Sequence, residues 1–195
     1  MSYVFSLIVS YLLGSIPFGL IVAKFFNKGD IRKIGSGNIG ATNVMRVGGL
    51  RLAGLVWLLD MAKAVIAVLI GRYVGGEVFA VWCGFFAIVG HCFPVWLGFH
   101  GGKGISSLFG VLLAMNPILF IICGIEWLIV ALGTGFSSLG AVVVFSLMPV
   151  LGFFISFGVG IGFLAISALC FWRHRENIVR LFHVKESKIE WKWKK

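Results

Sequence analysis

Long apolar runs separated by short polar punctuation organise this chain. The first run covers roughly 3 to 26 and is interrupted by Gly14-Ser15-Ile16-Pro17, which predicts a kinked helix packed against protein. Further runs cover roughly 52–70 and 78–99. The stretch 105–133 is broken by Asn116-Pro117 and reads as two short helices. The stretch 138–172 is too long for one helix and divides near 152–158. A membrane-crossing helix needs about 20 apolar residues, fewer where neighbours thin the bilayer. The pattern therefore predicts an all-α polytopic membrane protein with about seven transmembrane helices, one unit over 1–195 that ends in a basic tail, 172–195.

Composition supports this reading. The chain of 195 residues is 59% hydrophobic and only 12% charged, with a mean hydropathy of +1.03. A soluble domain carries about twice that charged fraction. The first run has no basic leader segment and no small-residue cleavage site, so it reads as a retained span. Cys83, Cys92, Cys123 and Cys170 stand singly in apolar surroundings and read as small buried hydrophobes.

Charge placement sets the expected orientation. Six Lys or Arg lie between Lys24 and Arg51, Lys103 lies in the turn after the third span, and eight lie from Arg173 onward, which accounts for 15 of 17. Seven crossings put all three segments on one side, and the positive-inside rule makes that side cytoplasmic, with the N-terminus outside and the C-terminus inside. The net charge of +10 suits anionic lipid better than nucleic acid, for which no motif is present. The end Glu190-Trp191-Lys192-Trp193-Lys194-Lys195 reads as an interfacial anchor.

Three polar segments carry the candidate chemistry. In the first, residues 35–46, Gly35, Gly37 and Gly40 allow close backbone approach, while Ser36 and Asn38 are natural helix caps. On the helix that follows, Asn38, Thr42 and Arg46 share a stripe, with Asn43 beside them; free N–H groups and a guanidinium suit a phosphate, although a solvated turn has the same composition. The second segment is Gly90-His91-Cys92-Phe93-Pro94 with Phe99-His100-Gly101-Gly102-Lys103-Gly104. Three glycines around Lys103 let backbone and ammonium meet one anion, yet Leu97 and Gly104 depart from a nucleotide-binding P-loop. His91 reads either as a packing histidine or as a catalytic one. The third segment is Arg173-His174-Arg175-Glu176-Asn177, continuing to Arg180, and a stop-transfer cluster is its plainer reading.

Two features raise the functional reading. Charge parity places all three segments on one face, and the second, fourth and sixth spans begin there with their helix N-termini. Ser137 and Ser138 stand at the start of the sixth span and add hydroxyls. Within the spans, Asp60 and Lys63 are expected to pair as a structural ion pair, and Glu126 stands alone. Only seven acidic residues exist, too few and too dispersed to hold two catalytic metals. None of the four histidines precedes an Asp by five positions, and no Gly-x-Ser-x-Gly elbow occurs. The implied site is rich in cations and amides, poor in acids, and suited to phosphorylated, acyl-bearing ligands.

Gly35-Ser-Gly-Asn-Ile-Gly-Ala-Thr-Asn-Val-Met-Arg46, Gly90-His-Cys-Phe-Pro94 with Phe99-His-Gly-Gly-Lys-Gly104, and Arg173-His-Arg-Glu-Asn177 with Arg180 and Glu186 resemble the three motifs of a bacterial family. That family is the acyl-phosphate-dependent glycerol-3-phosphate acyltransferases of the inner membrane. The resemblance runs the whole chain, through Gly14-Ser15-Ile16, Asp60-x-x-Lys63 and Ser137-Ser138-Leu139-Gly140. Ala64 and Ile105-Ser106-Ser107 depart from the family pattern without removing a polar ligand group.

The resemblance implies seven spans and transfer of a fatty acyl group from acyl phosphate to the 1-hydroxyl of sn-glycerol 3-phosphate, giving lysophosphatidic acid in phospholipid synthesis. It implies no cofactor, no metal and no obligatory protein partner, with membrane lipid as surroundings. The two substrates are both anions, so cations must hold them together. Arg46, Lys103 and Arg180 are expected to neutralise phosphate. Ser36, Asn38, Thr42, Asn43, Ser137 and Asn177 would donate hydrogen bonds, and Gly37, Gly102 and Gly104 would admit the backbone. His91 and His174, or a substrate phosphate, would move the proton. A transporter of a phosphorylated metabolite is the alternative, although the chain shows no internal repeat. A lipid-binding scaffold would leave the three motifs unexplained.

Overall fold

A computed structural model describes residues 2–189, so the expected anchor at 190–195 lies outside the described residues. The regular elements there are all helical: α1 (Tyr3–Gly14), α2 (Phe18–Phe25), α3 (Ala41–Cys92), α4 (Ile105–Met115), α5 (Pro117–Thr134), α6 (Ser137–Ile155) and α7 (Phe157–Phe182), with single 3-10 turns at Ile31–Lys33 and Val95–Leu97.

The breaks have local causes. Pro17 parts α1 from α2. Between α4 and α5 the chain stops at extended Asn116, whose side chain caps the next helix by accepting from Ile118 N–H at 2.9 Å, with Pro117 as its first residue. Ser156 does the same for α7 through Val159 N–H at 3.2 Å.

The expected second and third spans are the two arms of α3. The chain reverses at Gly75 and Gly76, where φ of 73° at Gly76 needs a residue without Cβ. The arms then run side by side: a Cβ on Gly71 would strike Ala80 and Cys83 across the hairpin. A second irregularity at Gly49 sets 41–48 at an angle to the long arm. The third expected span ends early, at Cys92 rather than Phe99, because Phe93 precedes a proline and is driven out of the helical region.

Five helical stretches, Tyr3–Phe25, Ala41–Leu97, Pro117–Thr134, Ser137–Ile155 and Phe157–Phe182, are long and apolar enough to cross a membrane. The 11 residues of α4 reach only roughly 16 Å, about half the hydrocarbon thickness. Its Leu108, Val111 and Leu112 are wholly buried with Phe145, Phe163 and Ile88. The outer face of α5 instead exposes Ile118, Ile121, Ile125, Ile129 and Leu132, as a lipid-facing surface should. Close helix crossings depend on small residues: a Cβ on Gly90 would meet the Tyr11 carbonyl, and one on Gly110 the Met61 carbonyl.

Candidate active site

Three helix N-termini open onto one cavity of about 640 Å³, lined by Gly40 and Ala41 of α3, Gly104 and Ile105 of α4, and Ser137 and Ser138 of α6. Each contributes unpaired N–H groups and the positive end of a helix dipole. Arg46, Lys103 and Arg180 line the same space. Helix N-termini and cations together suit an anion.

The loop before α3 owes its shape to one side chain. Asn43 is 1% exposed. Its Nδ2 donates to the carbonyls of Ile31, Ile34 and Asn38 at 2.9, 3.0 and 2.9 Å, and its Oδ1 accepts from Ser36 N–H at 3.0 Å. Both amide hydrogens are therefore committed to the loop, so Asn43 positions the loop rather than donating outward. The helix begins at Ala41 with Gly40 as its cap, later than the expected Ser36 or Asn38. Asn38 turns back to accept from Gly40 N–H at 2.9 Å, which leaves only Thr42 and Arg46 of the expected stripe on the helix. Tight local turns compete here with a longer helix.

The turn carrying Lys103 is clamped from α7. Arg173 donates to the carbonyls of Gly101 and Gly102 at 2.8–3.0 Å, and its guanidinium lies 5.2 Å from the Phe93 ring. Arg173 is thus a loop fastener. Gly104, with φ of 89°, turns the chain into α4 and leaves Lys103 pointing at Asn177 Oδ1, 2.5 Å away. Burial first, and then the charge of Arg180, lower the Lys103 pKa below its ordinary value.

The chain beyond α7 folds back over the cavity, a feature absent from the reading of 172–195 as a basic tail; α7 itself continues as helix to Phe182. Glu186 accepts from Ser138 Oγ at 2.8 Å, Asn177 Nδ2 at 2.5 Å and Arg180 Nε at 2.7 Å. Burial pushes its pKa up, but these hydrogen bonds outweigh it and hold the carboxyl below the ordinary range. Ser187 accepts from Arg46 at 2.9 Å, and Ile189 N–H donates to the Gly135 carbonyl at 2.7 Å. Residues 184–189 therefore form a strap whose one carboxylate sits among the cations.

A family model described as glycerol-3-phosphate acyltransferase matches residues 4–184. The chain belongs to the glycerol-3-phosphate acyltransferase family. A family member from Rhizobium etli is 47% identical over 93% of this chain and 89% of its own length. Another from Roseobacter denitrificans is 46% identical over 93% of this chain and 92% of its own. Both carry the name glycerol-3-phosphate acyltransferase. The crystal structure of PlsY, an integral membrane glycerol 3-phosphate acyltransferase in its glycerol 3-phosphate form, superposes with a TM-score of 0.92 at 36% identity, covering 97% of this chain and 96% of the other. The lysophosphatidic acid form of PlsY gives 0.88 at 35% identity, with 96% and 95% covered. The family fold is an integral membrane helical one, and this chain shares it.

Set on that fold, the expected site residues converge. Ser36, Asn38, Thr42, Asn43, Arg46, His91, Lys103, Gly104, Ser137, His174, Asn177 and Arg180 all line the cavity. Gly37 and Gly102 do not line it: Gly37 is exposed in the loop with φ of 70°, and buried Gly102 underlies the His91 ring, where a Cβ would overlap Nε2. His174 is 3% exposed and its Nδ1 lies 2.8 Å from the Cys170 carbonyl one turn earlier, so that nitrogen carries the hydrogen and Nε2 keeps its lone pair. Asp60 and Lys63 pair at 2.6 Å as expected, but the pair also reaches His91, which lies 3.0 Å from Lys63 Nζ. Ser138, expected to add a hydroxyl, donates it to Glu186, while the clamping role of Arg173 and the acceptor role of Glu186 were not assigned from spacing. For Glu186 the signal was its place beside the third motif, which the resemblance named without a role.

Proposed function

We propose that this protein transfers a fatty acyl group from acyl phosphate to the 1-hydroxyl of sn-glycerol 3-phosphate, releasing lysophosphatidic acid and inorganic phosphate. One observation carries the reading: the cavity is polar and cationic at one end and apolar along the rest. Leu50, Trp57, Phe109, Phe120, Ile125 and Leu128 continue it from the helix N-termini towards the membrane-facing side of α5. An acyl chain suits the apolar part, and phosphate suits the end held by Arg46, Lys103 and Arg180.

Acyl phosphate is a mixed anhydride and already activated. The glycerol hydroxyl adds to its carbonyl carbon, the tetrahedral oxyanion collapses, and the carbon–oxygen bond to phosphate breaks. Bringing two anions together costs repulsion, which fixed cations and helix N-termini offset in a water-poor cavity. The hydroxyl proton passes to a lone pair nearby, of which His174 Nε2 and a substrate phosphate oxygen are the two candidates. Basic segments flanking the cavity support an orientation in which it faces the cytoplasm from the bacterial inner membrane, with the N-terminus outside.

Purified protein in detergent, given palmitoyl phosphate and glycerol 3-phosphate, is expected to form lysophosphatidate and phosphate. Palmitoyl coenzyme A in place of palmitoyl phosphate is expected to give none. No product from either donor, with phosphate-ester flux in proteoliposomes instead, would establish the transporter reading.

A further inference from the structure

We propose that the buried Asp60–Lys63 pair fixes His91 with its proton on Nε2, so that His91 serves the cavity as a hydrogen-bond donor and not as a base. Asp60 and Lys63 act as positioning residues. The inference rests on the reading of the cavity as the acyl-transfer site, and it concerns a histidine whose role spacing left open.

An ammonium group has three hydrogens and no acceptor. Around Lys63 Nζ stand three acceptors: Asp60 Oδ1 at 2.6 Å, the Ile16 carbonyl at 2.9 Å and His91 Nδ1 at 3.0 Å. The Ile16 carbonyl and His91 Nδ1 meet Nζ in hydrogen-bond geometry, whereas Asp60 Oδ1 meets it as an ion pair outside that geometry. An ammonium cannot accept, so His91 Nδ1 must present its lone pair. A neutral imidazole then carries its hydrogen on Nε2. The opposite tautomer would point an N–H at an ammonium 3.0 Å away. Its compensation would be Asp60 Oδ1 at 3.5 Å, beyond good hydrogen-bond distance. An imidazolium meets the same repulsion.

Burial makes the arrangement rigid. Asp60 is 1%, Lys63 3% and His91 5% exposed, so bulk solvent does not reach the three groups. The Phe18 ring, 5.8 Å from Lys63 Nζ, and the Ile16 carbonyl close the remaining side. The three side chains come from both arms of the α3 hairpin, and the break between α1 and α2 supplies the freed carbonyl.

The free edge of His91 lies over Gly102, one residue from Lys103, on the cavity wall. An N–H there can donate to a phosphate oxygen or to the oxyanion of the tetrahedral intermediate. It has no lone pair with which to take the glycerol hydroxyl's proton, and that proton must leave by another acceptor.

The test is histidine-selective ¹⁵N NMR on the full-length protein in detergent, without substrate. The His91→Gln spectrum identifies the His91 signals by their loss. Wild-type His91 is expected to show a protonated Nε2 and a bare Nδ1. In Lys63→Met the proton moves to Nδ1, with Asp60 as its acceptor, and kcat/KM for acyl transfer falls about 10²-fold. Because that variant orphans a buried carboxylate, Asp60→Leu/Lys63→Met removes both charges and is likewise expected to lose the fixed Nε2–H form. A wild-type His91 protonated on Nδ1, or on both nitrogens, overturns the inference. So does an unchanged Nε2–H signal in the Lys63 variants. A wild-type protein with the expected spectrum and no acyl transfer would instead overturn the functional reading.

Discussion

Lys103 reaches the cavity because its neighbours cannot hold it anywhere else. Arg173 fastens the two carbonyls before it, Gly104 turns the chain after it, and Asn177 receives its ammonium. Lys103→Ala is expected to abolish turnover while the protein stays folded, since the loop is held by Arg173; retained activity would remove Lys103 from the mechanism. The lowered pKa of Lys103 adds a pH signature. With Lys103 in the proposed phosphate-binding role, binding is expected to be complete below that pKa and to fade as pH rises through it, earlier than for an ordinary lysine. In Lys103→Arg the guanidinium stays charged throughout, and the alkaline loss is expected to vanish even if turnover is slower. A rate measurement across pH 7 to 11 checks both. His174 illustrates the opposite limit of sequence reading: its residue type marked it as a proton carrier, but the nitrogen that carries the hydrogen depends on the Cys170 carbonyl.

At the scale of elements, the site is a meeting of loops and helix ends, each organised by one internal device. Asn43 is that device for the first loop. Asn43→Ala strands three carbonyls and an N–H, and is expected to lower unfolding stability by on the order of 3 kcal/mol, with activity lost alongside. Asn43→Asp keeps the acceptor but loses the donors, so a melt in detergent should rank it near the alanine variant. Gly102 is the device for the second loop, where a Cβ would overlap His91 Nε2. Gly102→Ala is expected to displace the His91 ring, to lower kcat/KM by about 10²-fold and to lower the melting temperature, because the added methyl overpacks a buried polar contact. The element boundaries were legible where Pro, Asn and Gly punctuate the apolar runs, as at Pro17, Asn116-Pro117 and Gly75-Gly76. They were misjudged where a polar turn competes with a helix, as at 36–40 and 93–99.

For the whole molecule, the decisive property is that the three polar segments share one end of the helical assembly. Lys33 and Arg175 are exposed at that end, and Tyr73, 92% exposed, marks the hairpin tip at the other. The four native cysteines are buried, so single cysteines at these positions give a clean readout. Lys33→Cys and Arg175→Cys are expected to react with an impermeant maleimide from the cytoplasmic side of oriented vesicles, and Tyr73→Cys from the opposite side. Labelling of positions 33 and 175 from different sides would dissolve the cavity as a site.

What the linear chain determined by itself is what depends on local chemistry. Apolar runs must become helices in lipid because every backbone amide needs an internal partner. Prolines and glycines must interrupt them, and cations clustered in polar breaks must lie on one side. Three groups of residues could therefore be assigned to one anion-binding end, and nearly all of them line the cavity. Tertiary structure alone decided which polar atom meets which. His91 joins Lys63 across 28 positions, Lys103 joins Asn177 across 74, and Arg46 joins Ser187 across 141. Such pairings follow from where helices cross and where the chain after α7 returns, and neither leaves a period in the sequence. Hence the type of chemistry could be read from composition and spacing, while the division of labour among donors, fasteners and proton carriers could not.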